Sequence, residues 1–312
     1  MTVNSSTNKV LQDNNLLGIG LMTSGIFLMS IKDAGSKFLV SDYHPIQIMA
    51  LSSWLTVVIL LLWSVSSSKQ KKTGVRTFMT KHWRAHMIRA SIGVMTGLFF
   101  LYSLKYMKLV DVTVIFFSAP ILMTTLSAIF LKEKVGIIRW TAVFIGFIGV
   151  VIAMRPDMGS IEWKFVLPLC ASITYSIRAI LVRTMAGIET ATQIVFHTRL
   201  GGAILTTIPM FYFWQPMTTT DVVLLIIITI VQLNAHLLIT RSTVMASLSV
   251  VGPVEYSALL WNGMLGYLIW NEIPTHNIWI GAIFIITAGL VVAYREVLHK
   301  KRFKHVQSDI TD

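Results

Sequence analysis

Ten runs of about twenty apolar residues, separated by short polar turns, run through this 312-residue chain and leave few folds open to it. Crossing roughly 30 Å of hydrocarbon takes about 20 residues of helix, because lipid offers no partner to a backbone N–H or C=O. The runs fall at 16–40, 45–65, 86–107, 110–131, 137–154, 163–185, 190–213, 221–243, 248–270 and 277–295. Hydrophobic residues make up 54% of the chain and charged residues 13%, too few to coat a soluble core of this size. Connections such as Lys132-Glu133-Lys134, Arg155-Pro156-Asp157 and Pro274-Thr275-His276 leave no room for a soluble domain between runs. The expected class is an all-α integral membrane protein with ten transmembrane helices.

The formal charge of +12 raises the question of nucleic acid. The basic residues sit between apolar runs, not along one face, and no nucleic-acid-binding motif accompanies them, so topology accounts for them instead. With the N-terminus inside, the two densest groups fall on the cytoplasmic side: Lys69, Lys71, Lys72, Arg76, Lys81, Arg84 and Arg89, then Arg295, Lys300, Lys301, Arg302 and Lys304. Only Lys37, Lys105, Lys108, Arg155 and Lys164 fall opposite. An odd number of spans would put one dense group outside. Both termini are therefore expected in the cytoplasm, with a polar tail at 1–15 and a basic tail at 296–312. The first run lacks a basic leader and a small-residue cleavage pattern, so it reads as a retained helix. The single cysteine, Cys170, excludes an intrachain disulfide.

The chain also repeats. A shift of 146 residues aligns Ser30-Ile31-Lys32 with Ser176-Ile177-Arg178, Lys37 with Arg183, and Gln47-Ile48 with Gln193-Ile194. A shift of 139 aligns Ser118-Ala119 with Ser257-Ala258 and Glu133 with Glu272, and a shift of 140 aligns Arg155 with Arg295. The expected units are 16–154 and 163–295, each of five helices. Five is odd, so the second unit enters the membrane from the opposite side, giving inverted repeats. In carriers such repeats can exchange conformations around a midplane site.

Each half closes in the same way, with a Pro- or Gly-marked helix, a short turn containing Glu and a Gly-rich last helix. These are Ser118-Ala119-Pro120 to Glu133 with Gly146 and Gly149, and Gly252-Pro253 to Glu272 with Gly281 and Gly289. In this the chain resembles the EamA family of the drug/metabolite transporter superfamily over nearly its whole length. The resemblance implies ten helices in two inverted five-helix repeats, cytoplasmic ends and a location in a bacterial inner membrane. Among members, transporters of S-adenosylmethionine, riboflavin and amino acids are similar in general pattern, and no motif selects one cargo.

An ionisable group within a span costs about 2.5 to 3.5 kcal/mol on insertion scales, so each is a candidate for function. Lys32 and Arg178 come first, as repeat mates on either side of the midplane. Arg199 and Glu255 follow as substrate contacts, with Glu255 and Asp33 as candidates for proton coupling. A structural role competes at each: Lys32 could serve as counter-ion to Glu255, and adjacent helical residues point about 100° apart, which favours a bridge between helices over one from Lys32 to Asp33. Lys37 and Arg183 read as anchors snorkelling to the interface. His197 and His236 read as hydrogen-bonded packing. Trp54, Trp261, Tyr175 and Tyr256 are aromatic candidates for stacking or cation-π contact with substrate. Glycines such as Gly146 and Gly149 read as sites of close helix approach. No metal ligand set or cofactor motif is present.

Together these features predict a secondary active carrier for a small polar or zwitterionic metabolite, amino-acid-like, S-adenosylmethionine-like or flavin-like. The expected partners are a small molecule and the bilayer, with monomer or homodimer both open. An exporter of the same fold is the alternative. A membrane-embedded enzyme would need a clustered catalytic motif, and a channel or scaffold would need neither inverted units nor symmetry-related charges. No Walker motif points to ATP as the driving force.

Overall fold

The computed structural model describes residues 15–66, 78–80, 82–130, 137–154, 162–184, 191–246 and 251–308. Among these the chain is helical, without strands. The helices are α1 (Asn15–Asp42), α2 (Pro45–Ser66), α3 (Trp83–Tyr106), α4 (Leu109–Phe116), α5 (Ala119–Phe130), α6 (Ile137–Met154), α7 (Val166–Thr184), α8 (Ala191–Tyr212), α9 (Thr219–Met245), α10 (Ala258–Trp270) and α11 (His276–Ser308). Six of the described segments are long and apolar enough to cross a membrane: Leu16–Asp42, Pro45–Ser64, Trp83–Tyr106, Trp163–Leu181, Gln193–Tyr212 and Thr219–Ser242. Most boundaries lie within a few residues of those expected from sequence. Glu133 and Arg155, used in the repeat alignment, lie outside the described residues.

Two of the expected spans are broken. The fourth divides into α4 and α5 around Phe117 and Ser118, and the ninth opens with a 3-10 segment, Gly252–Ser257, before α10. Proline explains part of this. Pro120 stands in the first turn of α5 and Pro253 at the start of the 3-10 segment, where a missing N–H does least harm and the preceding residue is steered away from helix. A further difference is at the C-terminus, where α11 continues without a break to Ser308, through the basic stretch expected to be a tail. Lys, Arg, Glu and Gln are good helix formers, and positive charge suits a helix C-terminus.

Small residues decide which helices lie closest. Gly18, Gly25 and Gly35 of α1 face Ala246 and helix α9, and a Cβ at these positions would fall 2.3, 2.7 and 2.4 Å from Ala246, Ile239 and Ile228. In lipid, where apolar side chains gain little by leaving the solvent, such backbone proximity supplies the packing. Helices α6 and α11 meet in the same way: a Cβ on Gly149 would sit 2.9 Å from the Gly281 carbonyl, and one on Gly281 2.6 Å from that of Gly149. Elsewhere α3 runs along α7, α2 along α8, and α4 against α10, where Asn262 Nδ2 donates to Thr113 Oγ1 at 2.7 Å.

Side chains also tie one end of the bundle. Gln47, fully buried on α2, donates to the Gln215 carbonyl at 2.7 Å and accepts from the Gln215 N–H at 2.9 Å, fastening the α8–α9 connection. Thr218 caps α9 through Asp221, and the Tyr43 hydroxyl donates to the Asp221 carboxylate at 2.7 Å. That bond holds the Tyr43 phenol above its ordinary range. Beside it, His44 stacks on Phe213 with centroids 3.9 Å apart and meets the Tyr102 hydroxyl at 2.9 Å.

Candidate functional site

The charges on the spans converge on one region between α1, α7, α8 and α9. Lys32 on α1, Arg178 on α7 and Arg199 on α8 all lie within electrostatic range of the His236 ring on α9, and Arg199 is also close to Arg178. Lys32 Nζ holds the Asp33 carboxylate at 2.6 Å. Among the described residues neither guanidinium has an acidic partner, so the region carries more positive than negative charge.

A file of rings joins the two leading cations. Lys32 Nζ lies 5.2 Å from the centroid of Phe100; Phe100 meets Phe116 at 5.3 Å; Phe116 meets Tyr175 at 5.3 Å; and the Arg178 guanidinium lies 5.2 Å from the Tyr175 centroid. Phe116 reaches this position because α4 ends there, at the break in the fourth span. Phe117, next in the chain, packs edge-on against Tyr256 at 5.1 Å. Gly93 on α3 lies beside Arg178, whose Cδ would be in ordinary van der Waals contact, 3.7 Å, with a Cβ there. Glu255, exposed on the 3-10 segment, is within electrostatic range of Tyr175 and Tyr256. The breaks in the fourth and ninth spans thus carry the rings and carboxylate of the cluster.

Lys32, Asp33, Arg178, Arg199, Tyr175, Tyr256 and Glu255 are therefore neighbours, as are residues that sequence reasoning left out. Phe100 and Phe116 carry no charge, and nothing in their sequence separates them from lipid-facing phenylalanines. His236, expected to be packing, stands among the cations. Trp54 and Trp261 lie elsewhere. Trp54 Nε1 donates to Thr207 Oγ1 at 2.8 Å and ties α2 to α8. Trp261 packs edge-on against Phe27 of α1 at 5.0 Å, its indole N–H buried without an acceptor among the described residues. His197 bonds the Gln193 carbonyl and lies 4.4 Å from the His86 ring. Arg89, expected from sequence among the cytoplasmic basic residues, is fully buried and donates to the Ile194 carbonyl, and Asp111 is buried too.

Two ion-pair expectations are corrected. The bridge to Asp33 is intrahelical: the four-carbon stem of Lys32 curls back to its neighbour, and no other carboxylate pairs with it among the described residues. The bridge between helices belongs instead to Lys37, expected to be an anchor snorkelling to the interface. Its Nζ meets Glu272 Oε1 at 2.5 Å and donates to the Met107 carbonyl at 2.6 Å, while Glu272 Oε2 accepts from the Leu109 N–H at 2.9 Å. Asn271 makes this possible. It adopts φ 53°, the left-handed region Asn tolerates at a helix C-terminus, and the Glu272 N–H closes on the Gly266 carbonyl at 3.1 Å. The reversal carries the Glu272 carboxylate over the end of α10 towards Lys37.

Comparison with known proteins agrees with this architecture. Residues 15–155 match the EamA-like transporter family. An S-adenosylmethionine uptake transporter of Rickettsia bellii is 24% identical over 90% of this chain and 94% of its own length. A riboflavin transporter of Vibrio cholerae is 22% identical over 92% of this chain and 95% of its own, and a pseudopaline exporter of Pseudomonas aeruginosa 22% over 88% and 95%. One solved crystal structure shares the fold, with a TM-score of 0.58 at 15% identity, covering 88% of this chain and 95% of that one.

Proposed function

We propose that this multi-pass membrane protein, whose residues 15–155 match the EamA-like transporter family, works as a secondary carrier. Its cargo is a small polar or zwitterionic metabolite bearing a carboxylate and a ring, held between Lys32 and Arg178. The observation that carries this reading is the positive charge of Arg178 and Arg199, which have no acidic partner among the described residues, with Arg178 joined to Lys32 by the rings of Phe100, Phe116 and Tyr175. A half-buried cation within a span is costly, and a negatively charged cargo offsets that cost when it arrives. The rings suit a planar group between the charges.

Alternating access would come from inverted five-helix repeats, 16–154 and 163–295. Helix pairing supports this: the first span lies along the eighth and the sixth along the third, as exchange of the halves requires. Gln47 bonds the connection between spans seven and eight, while its repeat mate Gln193 donates to the Met79 carbonyl, between spans two and three. Phe117 and Tyr256, mates at a shift of 139, touch each other, as residues near a two-fold axis do. Glu255 is the candidate for proton coupling, since Asp33 is already paired. The basic clusters support cytoplasmic termini in a bacterial inner membrane. The named relatives include both uptake and export, and the prevailing gradients set direction in such a carrier.

The test is a thermal-shift screen of the purified protein against S-adenosylmethionine, riboflavin and amino acids, since a ligand of the folded state raises its melting temperature. A carboxylate ligand should raise it, and Arg178→Met should abolish the shift while leaving the unliganded melt in place. A shift that survives both Arg178→Met and Lys32→Met would remove the proposed site.

A further inference from the structure

An apolar groove of about 410 Å³ runs along α3 outside the carrier site, lined by Met95, Phe99, Tyr102, Tyr106, Trp163 and Leu167. From Met95 to Tyr106 it follows eleven residues of helix, about 16 Å at 1.5 Å per residue, close to the depth of one leaflet of a hydrocarbon core roughly 30 Å thick. Its upper end is aromatic: Tyr106 meets Trp163 edge-on at 5.2 Å and stacks in parallel with Tyr102. Amphipathic rings of this kind sit at headgroup level. Beside the groove lies a second, more polar pocket of about 350 Å³ that shares Tyr106 and is bordered by Lys105 and Lys108.

Charge at this mouth is unbalanced. Lys37 and Glu272 border the same pocket and cancel each other. Lys108 donates to the Ile273 carbonyl at 2.6 Å, and Lys105 is exposed; among the described residues neither has a carboxylate partner. We propose that this paired groove and pocket is a binding site for an anionic phospholipid, one acyl chain lying along α3 and the phosphate between Lys105 and Lys108. A neutral lipid would fill the groove equally well, so the lysines make the distinction. The site joins the end of α3 to the start of the sixth span and is separate from the cargo region.

Trp163 reports on the groove directly. The protein is reconstituted in phosphatidylcholine vesicles containing a minor fraction of lipid with brominated acyl chains, either phosphatidylglycerol or phosphatidylcholine. The Trp163 signal is the difference between the unaltered protein and Trp163→Phe. Brominated phosphatidylglycerol should quench that signal several-fold more than brominated phosphatidylcholine at equal fraction. The preference should vanish in Lys105→Gln/Lys108→Gln and weaken in Lys105→Gln alone, an exposed position whose change spares the fold. Equal quenching by the two lipids, no quenching by either, or a preference unchanged in both variants would overturn the proposal.

Discussion

Lys32 and Lys37 lie five residues apart on α1, and each is paired with a carboxylate, yet the two pairs have opposite consequences. Lys37 reaches Glu272, 235 positions along the chain, and takes a backbone carbonyl from the α3–α4 turn as well. It therefore joins three corners of the bundle, with side chains only 10% and 14% exposed. Lys32 reaches only its neighbour, a pair that any rearrangement of the helices would leave intact. Its remaining face is turned to Phe100 and the cation cluster. A pair that bridges elements fixes a conformation, whereas a pair within one element leaves the helices free to move and keeps a charge ready for cargo.

The sharpest way to break this contrast is to remove one partner of each pair. Lys37→Met or Glu272→Gln should lower unfolding stability in detergent by roughly 3 kcal/mol, because a largely buried charge is left uncompensated. Lys32→Met leaves an Asp33 carboxylate just as buried, 11% exposed, and should cost about as much, but it should also weaken cargo binding at least about tenfold, which Lys37→Met should not. Equal loss of cargo binding in Lys32→Met and Lys37→Met would end the distinction. A smaller effect belongs to the neighbouring corner: Gln47→Ala loses two buried hydrogen bonds to Gln215 and should cost about 2 kcal/mol in the same measurement. Its repeat mate Gln193 makes its bond to the Met79 carbonyl at an exposed position, so Gln193→Ala should cost less.

The smallest effect is a titration. Burial, and after it the charge of Lys105, pushes the His44 imidazole below its ordinary value of 6.5. Because the folded state binds the proton less readily than the unfolded one, its contribution is complete above 6.5 and is lost as the pH falls towards the depressed value. Melting temperature should therefore drop between about pH 7 and pH 5, and His44→Gln should flatten part of that slope. A slope unchanged by the substitution would remove His44 from the account of this corner.

Much of this was legible in the chain because it depends on short spacings. Helix lengths follow from apolar run length, and Lys32, Arg178, Arg199 and Glu255 stand out because charges within such runs are rare. The file of Phe100, Phe116 and Tyr175 was not legible: phenylalanine in a span is ordinary, and only the break after α4 turns Phe116 towards Tyr175. Lys37 was misjudged for a related reason. Its partner depends on one left-handed residue, Asn271, and periodicity carries no record of where such a reversal sends the next side chain.

Apolar run length and charge spacing alone imposed a helical membrane protein with cations on its first, sixth and seventh spans, since lipid tolerates no other arrangement of an unpaired backbone. Which cations keep a partner depended on how distant helices meet. Glycines draw α1 onto α9, a broken fourth span brings its rings beside α7, and a single positive φ delivers Glu272 to Lys37. Those outcomes rest on contacts between residues from about sixty to more than two hundred positions apart, where local pattern has no influence and close packing in three dimensions does.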